Sequence, residues 1–263
     1  MLSTSDLTFI EKKGITAEMI DAQLKRFEVG FPFLKINAVA TIGNGIKAFS
    51  PEETAACVKA WSDFQQTGKA IEKFVPASGA ASRMFKNMFA FASSGKVAPT
   101  TDFEKEYFEN ITKFAFYADL NNACRKLYRS NVQELMSAGR HVDVVKAMLE
   151  PEGLNYGFLP KALLKFHKTT GGNAHTPIEE HLEEGAQYAA DKNRKVNLHF
   201  TVSPEHKAEF EKLLTVKLPI YEQVWGVKYN VTMSEQKSST DTIAVNMDNT
   251  PYREPNGELL FRR

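Results

Sequence analysis

An excess of charge of either sign is the first thing this sequence lacks. Its 33 lysines and arginines are met by 32 aspartates and glutamates, a formal net charge of +1. That balance argues against a dedicated nucleic-acid surface and against a binder of anionic membranes. Cysteine is scarce: Cys57 and Cys124 are the only two. They fall in separate helical patterns without metal-ligand spacing, so both are expected to be free, buried thiols in a reducing compartment. No apolar run approaches the ~20 residues a membrane helix needs. The opening Met1-Leu2-Ser3-Thr4-Ser5-Asp6 carries neither the basic nor the apolar region of a secretory signal. Together these absences predict a cytoplasmic chain with neither a membrane nor a nucleic-acid partner. The two standard phosphate fingerprints are missing as well. No glycine is followed by Lys-Ser/Thr as in a Walker loop, and no three spaced glycines open a helix.

What is present is an ordinary globular composition, 43% apolar and 25% charged over 263 residues, enough for one large domain or two smaller ones. The first seventy residues read as helices without chemistry. Thr16 to Val29 keeps a 3.6-residue period, and Ser50-Pro51-Glu52-Glu53 opens a helix that Gly68 closes. Asn37 to Ile46 is either a short extended segment or a loop. The first strand is Ile71 to Pro76. Helical patterns follow over Met84–Ala92, Phe103–Asp119, Leu120–Arg129 and Val132–Leu149. From Pro177 the chain alternates between a helix over Ile178–Ala190, a strand over Val196–Val202, a helix to Leu214 and a strand over Val227–Met233. Shorter strands are expected at Thr242–Asn246 and Glu258–Phe261. Alternation of this kind predicts an α/β fold with a mostly parallel sheet.

The densest signal lies where the first strand ends, in Pro76-Ala77-Ser78-Gly79-Ala80-Ala81-Ser82-Arg83-Met84. Small side chains let backbone N–H groups approach a ligand, and a helix N-terminus facing that point favours an anion. Arg83 is expected in the first turn of the next helix, where its fork suits phosphate oxygens. The alternative is close packing of helix on strand, with Arg83 solvated or paired. Lys161 follows Pro160 in the otherwise apolar Leu159–Leu164, as a held phosphate ligand or a solvated loop residue. Gln236, in a polar segment after a strand, offers donor and acceptor together to a nucleobase edge, or is plain surface loop. His175-Thr176-Pro177-Ile178-Glu179-Glu180-His181 has the wrong spacing for a zinc helix and reads as a capped helix start. His199, inside a strand, is expected to be a satisfied core histidine.

In order along the chain, Ala77–Met84, Pro160–Leu164 and Pro177–Leu182 resemble the sugar nucleotidyltransferases. There a small-residue turn ending in Thr-Arg-Met or Thr-Arg-Leu opens the fold, and a Pro-Lys and a helix beginning like Pro-Leu-Ile-Glu-His follow. The chain looks closer still to the domain of unknown function 4301 family, whose members resemble UDP-sugar pyrophosphorylases. The resemblance implies a Rossmann-like core of nucleotide-diphospho-sugar transferase type over residues 71–263. An N-terminal helical extension would cover 1–70, with a helical insertion at about 90–155. It implies a nucleoside triphosphate or nucleotide-sugar ligand, with the amides of Ser78, Gly79, Ala80, Ala81 and Ser82 around the phosphates. Arg83 and Lys161 would neutralise charge in catalysis, Gln236 would lie near the base, and Mg²⁺ is expected as cofactor. Ser78 and Ala81 stand where the family often has glycine. In the related pyrophosphorylases a Gly-His-Gly segment and a metal-binding aspartate come after the strand matching Glu258–Phe261. The resemblance is therefore to an N-terminal half, incomplete at the C-terminus and expected to need a C-terminal half for catalysis. A non-catalytic nucleotide-binding or protein-interaction module is the alternative.

Overall fold

The computed structural model describes residues 2–81, 83–169 and 171–262. In chain order the first elements are the helices Thr4–Lys12 (α1) and Ala17–Val29 (α2), the two-residue strands Thr41–Ile42 (β1) and Gly45–Ile46 (β2), and the helix Pro51–Gln65 (α3). Strand Glu72–Pro76 (β3) leads into the helices Lys86–Ser93 (α4), Asp102–Glu109 (α5), Tyr117–Tyr128 (α6), Val132–Ser137 (α7) and His141–Leu149 (α8). A small hairpin of His167–Lys168 (β4) and Ala174–His175 (β5) precedes helix Pro177–Tyr188 (α9). Strand Lys195–Val202 (β6), helix Lys207–Trp225 (α10) and strand Lys228–Glu235 (β7) follow. The chain ends with Thr242–Ile243 (β8) and Phe261–Arg262 (β9).

Contacts gather these elements into two compact units, residues 1–60 with 235–263, and residues 61–234. The C-terminal segment thus groups with the N-terminal helices. In that first unit Ile10, Ile15, Ile20, Ile243 and Leu259 form a small core. Asp6, which also closes the capping box of α1 with Ser3, receives two bonds of 2.8 Å from Arg253. β8 and β9 pair antiparallel in a sheet of their own.

The second unit has two cores. One joins α4, α6, α7 and α8 through side chains such as Met88, Phe91, Leu120, Leu135, Val144 and Met148. The other lies between the sheet and helices α9 and α10. Along β6, Val196, Leu198, Phe200 and Val202 are all fully buried while the residues between them are not. That period of two gives the strand one covered and one open face. Its order in the sheet is β3-β6-β7, with β3 and β6 parallel and Val75 opposite Phe200.

The fold is thus mixed α/β with a parallel sheet, but the sheet is only three strands wide. Residues between β3 and β6 are mainly helical, and the late strands pair with each other. β3 is an edge strand with β6 beside it. The long helical patterns are also interrupted. Residues 110–116 separate α5 from α6 with a 3₁₀ turn at Ile111–Lys113, and Gly139, with φ of +74°, separates α7 from α8. Cys124 is buried as expected, whereas Cys57 is exposed.

Candidate functional site: the turn after β3

Two buried alanines pin the turn. Ala77 belongs to the sheet core and donates its N–H to the Thr201 carbonyl at 2.9 Å. Ala81 is 1% exposed in the helical core. Between them Ser78 is half-buried, and Gly79 and Ala80 are exposed. The amides of Ser78, Gly79 and Ala80 have no hydrogen-bond partner among the described residues. A methyl added at Gly79 would meet nothing within 4 Å, so the middle of the turn is open. Ala81 is a packing residue, and Ser82 lies outside the described residues.

Arg83 corrects the sequence reading. It sits one irregular turn ahead of α4, where the Met84 N–H bonds the Ala81 carbonyl at 2.9 Å, and α4 itself starts at Lys86. Burying Ala81 and Phe85 on either side tightens the chain there and delays the regular helix. The Phe85 cap position has no side-chain hydrogen bond and no carboxylate lies in the first turn of α4. Negative charge near that end is therefore left to come from elsewhere.

Lys161 reaches the same turn. Its backbone N–H donates to the Gly79 carbonyl at 3.0 Å, and Ala80 forms an isolated antiparallel bridge with Pro160. The segment is held by burial of Ala162 and Leu164 on alternate positions, by the Leu164 N–H on the Lys161 carbonyl at 3.1 Å, and by the Lys165 N–H on the Tyr156 hydroxyl at 3.2 Å. Burial pushes the Tyr156 hydroxyl up to about 12, so it stays a neutral hydrogen-bonding post. Arg83 and Lys161 are both exposed, and no carboxylate pairs with either among the described residues.

On the far side of Arg83 the chain enters an apolar groove of about 600 Å³. Met84, Phe85, Met88, Phe103, Phe114 and Phe116 supply much of its wall. Sequence reading gives Phe103–Asp119 a helical pattern, within which Phe108 and Ile111 are buried. It missed that Met84 and Phe103, at 44% and 45% exposure, leave one side of the cluster open. Nothing in a single residue's pattern shows this, because the opening is made by the break between α5 and α6.

The remaining expectations divide. Gln236 belongs to the other unit, where its Nε2 donates to the Thr240 hydroxyl at 3.1 Å. Thr176 and Glu179 form the capping box of α9, with Pro177 in its first turn. Although burial pushes the Glu179 carboxyl up, Lys217 at 2.7 Å and the Thr176 amide hold it below the usual range. His199 is satisfied but not in the core. On the open face of β6 its ring nitrogens meet the Thr232 hydroxyl at 2.8 Å and the Ser234 hydroxyl at 2.7 Å, and its ring stacks on Phe74. Among the described residues no three His, Cys, Asp or Glu side chains come together to hold a metal ion.

A family model described as Domain of unknown function (DUF4301) matches residues 3–263. The chain belongs to the DUF4301 family. Comparison with the curated proteins and with the solved structures finds no match. The DUF4301 match covers the turn after β3, the Pro160–Leu164 segment and the aromatic groove alike. Among the described residues no helix is long and apolar enough to cross a membrane.

Proposed function

We propose that this chain binds a nucleotide or nucleotide sugar in the manner of a sugar-phosphate nucleotidyltransferase, with the phosphates on the turn after β3. In this reading the parallel β3-β6-β7 sheet is the ligand-binding part of a Rossmann-like core, and the ligand lies beyond the carboxyl end of β3. One observation carries the proposal: the Lys161 N–H on the Gly79 carbonyl. It draws together two segments far apart in sequence, each bringing an exposed cation that no carboxylate occupies. The first segment also carries three amides with no partner among the described residues. Unpartnered amides and exposed cations on adjoining segments suit an anion of several charges.

The chemistry that fits is attack by a sugar phosphate on the α-phosphate of a nucleoside triphosphate. Positioning and charge stabilisation supply the rate in such a transfer. The amides of Ser78, Gly79 and Ala80 would orient the phosphates, and Arg83 and Lys161 would offset charge on the leaving pyrophosphate. Among the described residues no three His, Cys, Asp or Glu side chains come together to hold a metal ion. Mg²⁺ would arrive on the triphosphate oxygens, and no step is assigned to it through a protein ligand.

Calorimetric titration of the chain with Mg²⁺ and a nucleoside triphosphate tests the reading. Saturable binding is expected, weakened about tenfold by Arg83→Ala and by Lys161→Ala, the loss of one charge-assisted contact each. Thermal midpoints should barely move, since exposed cations contribute little to folding. Unchanged affinity in both variants would refute the site. Binding without pyrophosphate release in a coupled assay would favour the non-catalytic module over the enzyme.

A further inference from the structure

We propose that the aromatic groove beside Arg83 takes the base of the nucleotide, and that this base is guanine; the inference rests on the phosphate reading above. Met84 and Phe85, the residues directly after Arg83, form part of the groove wall. The groove therefore begins at the residue next to Arg83. Its volume of about 600 Å³ and its walls of Phe103, Phe114, Phe116 and Phe166 suit a flat ring that stacks. Phe114 and Phe116 are themselves stacked, with centroids 5.2 Å apart and planes 6° apart, so part of the wall is already rigid.

The polar groups of the groove choose the base. Glu106, Tyr107 and Asn110 are the lining residues with side-chain oxygen or nitrogen atoms. The Tyr107 hydroxyl is turned inward to the Met148 sulfur at 3.1 Å and is not available. The Asn110 Nδ2 donates one hydrogen to the Glu106 carbonyl at 2.9 Å, which leaves its second N–H as a donor and Oδ1 as an acceptor. The Glu106 carboxylate accepts only, and no cation pairs with it among the described residues. The groove thus offers a carboxylate as a double acceptor beside an amide, and no cation among its described lining residues. Guanine has the matching edge, with the N1–H and the exocyclic amino group side by side. Uracil presents one N–H between two carbonyls, which a carboxylate repels. Adenine and cytosine each set a ring acceptor beside the amino group, so the carboxylate gains only one of its two bonds. The base that gives both carboxylate oxygens a donor is the one held by a bidentate, charge-assisted pair.

The test titrates the full chain with GTP, UTP, ATP and CTP, and with inorganic tripolyphosphate as a probe that has phosphates and no base. GTP is expected to bind at least about tenfold more tightly than UTP. Glu106→Gln, a change on an exposed helix position, should bring the two within about twofold and leave tripolyphosphate affinity unchanged. Phe103→Ala should weaken every nucleotide and not tripolyphosphate. Equal affinity for GTP and UTP, or a GTP preference that Glu106→Gln leaves intact, would overturn the base assignment while tripolyphosphate binding kept the phosphate site standing. Absence of binding by all five compounds would overturn both.

Discussion

At Gly79 the demands of folding and of ligand approach come apart. Its φ is not in the left-handed region, and a Cβ there would touch nothing within 4 Å. Gly79→Ala should therefore keep the fold, and by reducing the freedom of the unfolded chain should leave stability equal or slightly raised, by up to about 1 kcal/mol. The same methyl would stand where a phosphate oxygen must approach the amides. Calorimetry should thus show weaker nucleotide binding beside an unchanged or higher urea midpoint. A variant that binds as well as the parent would show that no ligand comes close at this residue. Ala77 and Ala81 behave oppositely. Both are buried, so larger side chains there should cost stability first.

Two elements expose the physics that holds the site's surroundings in place. Helix α5, which carries Phe103, Glu106 and Asn110, begins at a capping box formed by Thr101 and Glu104. Lys96, at 2.8 Å, and the amides of Thr100 and Thr101 hold the Glu104 carboxyl down to about 2. In the unfolded chain this carboxyl titrates near 4.3. A carboxyl depressed on folding stabilises above its unfolded value and loses that stabilisation as pH falls toward its folded one. The thermal midpoint should consequently drop between about pH 4 and pH 2, and Glu104→Gln should flatten part of that drop. A midpoint indifferent to pH in that window in both proteins would contradict the pairing.

In α9 the contest is between helix propensity and packing. Ala is better than Gly inside a helix by about 1 kcal/mol. A Cβ at Gly185, however, would lie 2.9 Å from a Val196 methyl and 3.2 Å from a Leu198 methyl, both fully buried. Overpacking costs about 1–3 kcal/mol, and the branched valine has little room to turn. Gly185→Ala should thus lower the urea midpoint despite the better propensity. A raised midpoint would mean that α9 can shift away from β6.

At the scale of the whole molecule, what could be read from sequence was what local chemistry writes. The Ser50-Pro51-Glu53 start of α3, the Thr176-Pro177-Glu179 start of α9 and the strand over Val196–Val202 each depend on neighbours in the chain, and each appears where expected. What could not be read depends on partners far away. The edge position of β3 is decided by β6, and the meeting of Lys161 with Gly79 by the helices folded between them. The grouping of residues 235–263 with the first sixty is decided by contacts such as Asp6 with Arg253. The turn's composition suggested an anion, but not that Ala81 would be spent on packing or that Arg83 would fall short of α4.

The central claim is that the turn's free amides face a phosphate. Backbone amide NMR of the chain, recorded while a nucleoside triphosphate is added, addresses it most directly. The account predicts that the N–H resonances of Ser78, Gly79 and Ala80 shift downfield together and saturably, since all three lack partners among the described residues. Lys161 should follow through its bond to Gly79. Resonances of these four that stay fixed while others move, or that do not move at any concentration, would contradict it.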